Sequence, residues 1–487
     1  MDTKEKTFLG QPIGLATLFF TEMWERFSYY GMRAILLYYM YDTVTNGGLG
    51  LPKSTSVAIM SVYGSLVFMS SIVGGWLADR LLGSRKTVFY GGLFIMFGHV
   101  VLATPFGIPA LFVSMIMIVI GTGMLKANVS SMVGSLYSKE DLRRDAGFSI
   151  FYMGINIGSL LAPIIVGTLG QKVNYHLGFS VAAVGMLFGL IVYYFQGKRT
   201  MPGIGVEPSN PVVGSERQKL VKVFGLILLV VAAIFGTAAV TGHLTIDFFI
   251  NFISVLGIGL PVFYFVRMLS SKDVSPEERK RVRAYIPLFI AAIIFWSLEE
   301  QGSSILALFA SDRTQGTLFG FNIPASWYQI LNPVFVVMLT PVFVWLWTKL
   351  GDKQPTTVVK FSIGLVLAGL SFVILMFPGL LFGTDQRVSP LWLVASFFVM
   401  ILGEMCLSPV GLSVTTKLAP KAFEAQTLAI WLLADASSQA INAQISRFYT
   451  TQTESAYYGI VGAVAVIAGI ILFTIRKPIQ NLMGNIH

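Results

Sequence analysis

The chain has 487 residues, of which 55% are apolar and 12% charged, and a formal charge of +10. A soluble domain carries about twice that share of charge, and a mean hydropathy of +0.73 places the excess apolar surface against lipid rather than in one oversized core. The basic residues sit in short runs between apolar stretches, which argues against nucleic acid as a partner, and the single cysteine, Cys406, excludes an internal disulfide.

Apolar runs long enough to cross the hydrocarbon core, roughly 20 residues each, fall at 13–41, 56–79, 87–105, 110–134, 146–169, 177–195, 221–241, 247–268, 284–309, 326–348, 358–377, 391–414, 425–446 and 457–475. That predicts fourteen transmembrane helices. The first contains Glu22, Glu25 and Arg26, which the apolar region of a cleavable signal segment does not tolerate. Polar linkers at 196–220 and 269–283, with Pro202, Pro208, Pro211 and Pro276, bracket two runs that carry almost no intramembrane charge. The expected organisation is a six-helix bundle at 1–196, linkers and an inserted helix pair at 197–283, and a second six-helix bundle at 284–487. Two such halves facing each other across a midplane cavity are a common carrier design.

Orientation follows from Lys and Arg. With the N-terminus in the cytoplasm, inner loops and ends hold 26 of the 34, among them Arg80, Arg85, Lys86, Lys139, Arg143, Arg144 and the run at 279–283. The outer side holds five: Lys53, Lys172, Arg313, Arg387 and Arg447. Both termini are therefore expected in the cytoplasm.

A charge at the membrane centre costs several kcal/mol, so each one invites a functional reading. Three bases lie within the runs, Arg26, Arg33 and Lys126, with six acids, Glu22, Glu25, Glu299, Glu300, Glu404 and Asp435. Like charges in a low dielectric repel one another, so some of these acids are expected to hold a proton, as a proton-coupled carrier requires. In the first helix, at about 100° per residue, Glu22, Glu25, Arg26, Tyr29, Tyr30 and Arg33 share a stripe roughly 140° wide. A purely structural pair, Glu22 with Arg26, leaves the rest of that stripe unexplained.

Depth along the helices, counted at about 1.5 Å per residue, pairs residues across the two halves. Arg33 and Glu300 both reach the outer half, Lys126 and Glu404 the inner half, and Arg26 and Asn156 the middle. Lys53 and Asp312 cap the outer ends of the second and seventh helices. Cross-half pairs at opposite depths are what two alternating gates need; permanent structural bridges are the competing reading. Pro163, Pro287, Pro333, Pro341 and Pro409 lie within spans and permit bending there. No phosphate-binding G-x-x-x-x-G-K-[ST] loop or H-E-x-x-H motif is present. The histidines, His99, His176, His243 and His487, lack metal-ligand spacing, so neither ATP hydrolysis nor a metal or other cofactor is expected.

Gly74-Gly75-Trp76-Leu77-Ala78-Asp79-Arg80-Leu81-Leu82-Gly83-Ser84-Arg85-Lys86 resembles the loop between helices 2 and 3 of the major facilitator superfamily. Glu22-Met23-Trp24-Glu25-Arg26-Phe27-Ser28-Tyr29-Tyr30 matches the E-x-x-E-R-F-x-Y-Y motif of the proton-dependent oligopeptide transporters. The stretch from Phe148 to Leu160 resembles that family's fifth-helix signature. The resemblance covers the whole chain, including the inserted pair of bacterial members. It implies the all-α facilitator fold and a symporter that imports di- and tripeptides by alternating access, driven by the proton gradient. It also implies a bacterial cytoplasmic membrane, with a monomer as the expected functional unit.

Carried over residue by residue, the resemblance implies that Glu22 and Glu25 couple protons, with Arg26 and Glu300. Arg26 and Lys126 attract the peptide carboxylate, and Asn156, Asn332 and Glu404 meet its amino end, with Glu299 nearby. Tyr29 and Tyr30 orient the peptide backbone and Trp431 lines a side-chain pocket. Gating falls to Arg33 with Glu300, Lys53 with Asp312, Lys126 with Glu404, and Asp79, whose counterpart in the superfamily pairs with the basic residues of its loop. Animal relatives use a histidine in the second helix, and none occurs at 56–79, so coupling must rest on carboxylates; Asp435 has no assigned role. A peptide is a zwitterion, so its site needs a basic and an acidic end, and the intramembrane charges supply both. A facilitator carrier of nitrate or a drug, and more remotely a membrane enzyme with paired carboxylates, are the alternatives.

Overall fold

The computed structural model describes residues 7–138, 141, 143–318 and 320–484, so Lys139 and His487 lie outside the described residues. Two short hairpins interrupt an otherwise helical chain: β1 (Thr7–Phe8) with β2 (Gln11–Pro12), and β3 (Thr317–Leu318) with β4 (Phe321–Asn322). The first turns through Leu9 and Gly10, both at positive φ (52° and 78°), a conformation that glycine adopts without steric cost.

The helices before the linker are α1 (Gly14–Tyr41), α2 (Lys53–Leu77), α3 (Ser84–Leu102), α4 (Ile108–Gly134), α5 (Arg144–Ala162), α6 (Thr168–Lys172) and α7 (Tyr175–Thr200). Next come α8 (Ser215–Val240) and α9 (Ile246–Ser270). The remainder are α10 (Pro276–Glu299), α11 (Ile305–Asp312), α12 (Leu331–Leu350), α13 (Thr357–Phe382), α14 (Leu391–Leu418), α15 (Glu424–Ile445), α16 (Glu454–Thr474) and α17 (Arg476–Met483).

Among the described residues, eleven helical segments are long and apolar enough to cross a membrane. The other three expected spans, α1, α3 and α15, fall short, each for a visible reason. Four charges lie in α1, Arg85 and Lys86 open α3, and α15 carries Asp435, Gln439 and Asn442.

Among the described residues, two spans are interrupted midway, while α2 ends in a widened turn over Ala78–Leu82. Pro163 begins a widened turn over Pro163–Gly167 that joins α5 to α6, as a missing backbone N–H permits. Between α10 and α11 a 3₁₀ turn spans Glu300–Ser303, followed by Ser304 at φ −127°, ψ −87°. The sequence predicts one unbroken run at 284–309, and no proline marks this break. Its cause is Gln301, whose side-chain amide donates to the Ser297 carbonyl at 2.9 Å. That carbonyl would otherwise accept the residue-301 backbone N–H of a regular helix.

In packing, α1 lies against α5, α7 and the Pro163–Gly167 turn, and α3 against α4 and α7. Beyond the linker, α13 packs on α14, α16 and α10, and α14 on α12. Small residues set the closest crossings. A Cβ on Gly91 would stand 2.7 Å from the Gly121 carbonyl oxygen, and one on Gly462 2.6 Å from that of Gly369. The helices before and after the linker meet along two seams. In one, α2 packs against α15 with α9 laid over both; in the other, α5 meets α12 sparingly.

Candidate functional site

A cavity of about 350 Å³ lies where α1, α2, α4 and α5 face α10, α12, α14 and α15. Arg33 and Lys126 line it, as do Glu299, Glu300, Glu404 and Asp435. The remaining wall is largely aromatic and amide, with Tyr30, Phe68, Tyr152, Asn156, Trp296 and Asn332. Of the residues singled out from the sequence, Tyr30, Arg33, Lys126, Asn156, Glu299, Glu300, Asn332 and Glu404 thus converge on one space, and Asp435 joins them.

The first-helix stripe is tied together as its spacing implies. Arg26 Nε lies 2.8 Å from both Glu22 Oε1 and Glu25 Oε2, and all three side chains are buried. The Arg26 guanidinium sits over the Tyr29 ring at 5.8 Å, and Tyr29 stacks on Tyr63 at 6.5 Å. This cluster stands behind the cavity wall rather than in it, since none of Glu22, Glu25, Arg26 or Tyr29 lines the cavity. Trp431 also points elsewhere: it is buried against Gly411 of α14.

At the end of the cavity where α1 and α11 finish, the two sides are joined. The Arg33 guanidinium pairs with the Glu300 carboxylate, whose Oε2 also accepts from Gln439 Nε2 at 2.5 Å. Lys53 Nζ lies 2.5 Å from Asp312 Oδ2. Tyr38 donates to the Ala307 carbonyl and Tyr41 bonds with Ser311, each at 3.1 Å. Glu299 is held separately, accepting from Asn332 Nδ2 at 2.8 Å.

Toward the other end no such tie is made among the described residues. Lys126 Nζ rests 4.3 Å from the Phe68 ring centroid, and among the described residues neither Lys126 nor Glu404 takes part in an ion pair. Asn156 Nδ2 donates to the Tyr152 carbonyl at 2.9 Å. Asp79 does not meet Arg85 or Lys86; it accepts from Ser209 Oγ at 3.0 Å. The linker after α7 runs beside it: Asn210 and Val212 donate backbone N–H groups to the carbonyls of Asp79 and Arg80, and Arg80 pairs with Glu216.

Sequence reasoning missed Gln439 as a second donor to Glu300. It also missed a buried network behind the break between α10 and α11. There Ser297 Oγ donates to Asn442 Oδ1 at 2.6 Å, Gln301 Nε2 reaches the same atom at 3.2 Å, and Tyr457 donates to Gln301 Oε1 at 2.7 Å. The signal was available, since Asp435, Gln439 and Asn442 recur at helical spacing on α15. A buried pair, Arg313 with Glu454 at 2.9 Å, was missed as well.

The POT family's sequence profile matches residues 85–475. An uncharacterised transporter of Bacillus subtilis, YclF, is 56% identical, over 99% of this chain and 97% of its own. A di-/tripeptide transporter of Lactococcus lactis subsp. cremoris is 54% identical, over 100% and 99% respectively. A crystal structure of a peptide transporter POT in complex with sulfate superposes with a TM-score of 0.96 at 54% identity, covering 98% of this chain and 97% of that one. With the motifs of α1, α2 and α5, and kinship of this depth along its length, the chain belongs to the POT family.

Proposed function

We propose that the protein is a proton-coupled symporter that imports di- and tripeptides across the cytoplasmic membrane by alternating access. Fourteen spans in two six-helix bundles, 1–196 and 284–487, rock about the cavity, with the pair within 197–283 inserted and both termini cytoplasmic. The single chain is the working unit. What carries this reading is the cavity itself, which presents Lys126 and Arg33 and, across from them, Glu299, Glu404 and Asp435. Its volume of about 350 Å³ lies at the lower end of the range for small-ligand sites, about 300–1,000 Å³. A zwitterion of peptide length meets complementary charge at both ends there, and varied side chains meet aromatic walls rather than a fixed shape.

Lys126, with Arg26 once released from its carboxylates, holds the peptide carboxylate; Asn156, Asn332, Glu299 and Glu404 receive the amino end. Glu22 and Glu25 carry the coupled proton, since Arg26 binds both and senses either one's neutralisation. Tyr30 positions the backbone from the cavity wall, Tyr29 supports it from behind through its edge-on contact with the Tyr30 ring, and Trp431 backs the pocket from its seat against Gly411 of α14. Arg33–Glu300 and Lys53–Asp312 form the outer gate, Lys126–Glu404 the inner one, and Asp79 locks the linker.

Purified protein in liposomes should accumulate labelled dialanine against its gradient when the lumen is alkaline relative to the bath, and lose accumulation when a protonophore collapses that gradient. Glu22→Gln should abolish accumulation while peptide-for-peptide counterflow persists. Uptake that ignores the pH gradient, or that is displaced by nitrate and not by tripeptides, would overturn the proposal.

A further inference from the structure

The two seams between the bundles are finished differently. Along α2 and α15, Ser65 Oγ donates to the Ala436 carbonyl at 2.8 Å, and α9 closes the outside: Ser437 Oγ donates to the Gly257 carbonyl at 2.7 Å and Ser254 Oγ to that of Ala440 at 3.2 Å. Along α5 and α12 there is instead a cleft of about 930 Å³. It shares Tyr152, Asn156 and Pro333 with the central cavity. Its own wall is mainly apolar, with Phe148, Met153 and Leu160 on α5 facing Val337 and Met338 on α12, beside the smaller polar groups of Ser130, Ser149 and Thr340. Met153, Val337 and Met338 are exposed, and both helices lie within candidate spans. The cleft therefore opens sideways at hydrocarbon depth.

Its polar groups, Ser130, Ser149, Tyr152, Asn156 and Thr340, are outnumbered by apolar side chains, so the space suits an acyl chain of the bilayer better than water. The ends of the two helices specify more. Arg144 opens α5 and sits 6.0 Å from the Phe148 ring centroid; Lys349 lies in the last turn of α12, 4.7 Å from that of Trp345. Both are exposed, and among the described residues neither has a carboxylate partner. Two exposed cations thus stand on the helix ends that lead out of the apolar slot.

We propose that the α5–α12 seam binds an anionic phospholipid, one acyl chain lying in the cleft and the phosphate between Arg144 and Lys349. This rests on the topology proposed above, which sets both residues at the cytoplasmic face. Each basic residue near an anionic headgroup contributes a factor of about five in partition. Because the cleft closes when α5 and α12 approach, the lipid favours the state in which they stand apart.

The test uses the full-length protein in phosphatidylcholine liposomes doped with either phosphatidylglycerol or phosphatidylcholine carrying a diazirine on one acyl chain. After photolysis, adducts are mapped by mass spectrometry, with no peptide and no gradient present. The phosphatidylglycerol probe should mark 148–160 and 334–341 up to roughly 25-fold more than the phosphatidylcholine probe, a factor of about five for each of the two cations, whereas α8, bare to lipid, should take both alike. Arg144→Gln with Lys349→Gln should remove that preference and leave α8 labelling unchanged; Val337→Trp, which fills the cleft, should remove the cleft adducts. Equal marking by both probes in the wild type overturns the site, and that comparison needs no variant to fold. Displacement of the adducts by a dipeptide with a long apolar side chain, but not by dialanine, also overturns it and assigns the cleft to substrate. Dialanine uptake measured on the same liposomes tests the transport reading separately.

Discussion

Arg26 and Lys126 are both cations near the middle of the molecule, yet their surroundings give them different tasks. Arg26 is spent on Glu22 and Glu25 at 2.8 Å and is buried behind the wall. Lys126 is at the cavity surface with an aromatic ring for its nearest described partner. An unpaired cation facing a cavity gains most from a ligand carboxylate, because a charge-assisted hydrogen bond there contributes about 1.5–3 kcal/mol. A dipeptide amidated at its C-terminus should therefore bind at least tenfold more weakly than the free acid. In Lys126→Ala that discrimination should shrink severalfold, which competition for labelled dialanine would show; undiminished discrimination would move the carboxylate site to Arg26. Most of this constellation is readable in advance, because a charge inside an apolar run stands out whatever it touches. What the chain did not disclose is direction: Tyr29 and Trp431 look like cavity residues by type, and only the packing of Tyr63 and Gly411 shows them turned away. Neutral side chains such as Gln439 stand out less by cost, since an amide in a membrane helix is cheaper than a charge, and only the helical spacing of Asp435, Gln439 and Asn442 marks it.

At the scale of elements, α9 is bound unequally to its two neighbours. Toward α15 it makes directed bonds, from Ser254, Ser437 and Gln444, the last reaching Asn251 at 3.1 Å and Ser254 at 3.0 Å. Arg447 just beyond α15 also pairs with Asp247 at 3.1 Å. Toward α2 the contact is apolar, Ala58 and Val62 against Ile250 and Ile253. Hydrogen bonds fix register, whereas dispersion between smooth apolar surfaces tolerates sliding, so α9 should travel with α15 and glide over α2. A cysteine tether between Ser254→Cys and Ala440→Cys, made after replacing Cys406, should leave at least half of wild-type uptake. A tether across the open seam, Met153→Cys with Val337→Cys, should cut uptake tenfold or more. Loss of uptake on the first tether would mean that α9 and α15 move apart during the cycle. The helices themselves were legible from apolar run length, and Pro163 marked its turn correctly. The break at Glu300–Ser303 was not, because it depends on an amide of Gln301 satisfied by α15 and α16, which no local pattern contains. Hydropathy also undervalues α1 and α15, whose polar faces are turned inward.

For the whole molecule, the ties at one end, with none among the described residues at the other, define a state closed where α1 meets α11. Two ion pairs contribute to that closure, and their surroundings rank them. Lys53 and Asp312 are 49% and 43% exposed in their side chains, and a pair so wet is worth about 0–1 kcal/mol. Arg33 and Glu300 are each 10% exposed, and Glu300 has Gln439 as a further donor. Breaking a bond to a buried charge costs about 1.5–3 kcal/mol, and no perturbation can shift the equilibrium by more than the differential energy it removes. Glu300→Gln, which keeps the shape and discards the charge, should therefore move the open-to-closed ratio at this end by roughly 10- to 150-fold. Asp312→Asn should move it less than about fivefold. Spin labels on the exposed turn at Thr45 and on Arg387, which sit on opposite sides of that closure, report the ratio as a distance distribution at neutral pH. Gln439→Ala should fall between the two, since it strips one donor and leaves the ion pair. If Asp312→Asn opens this end as far as Glu300→Gln does, the exposed pair is the latch and the buried knot only holds the break between α10 and α11 in place.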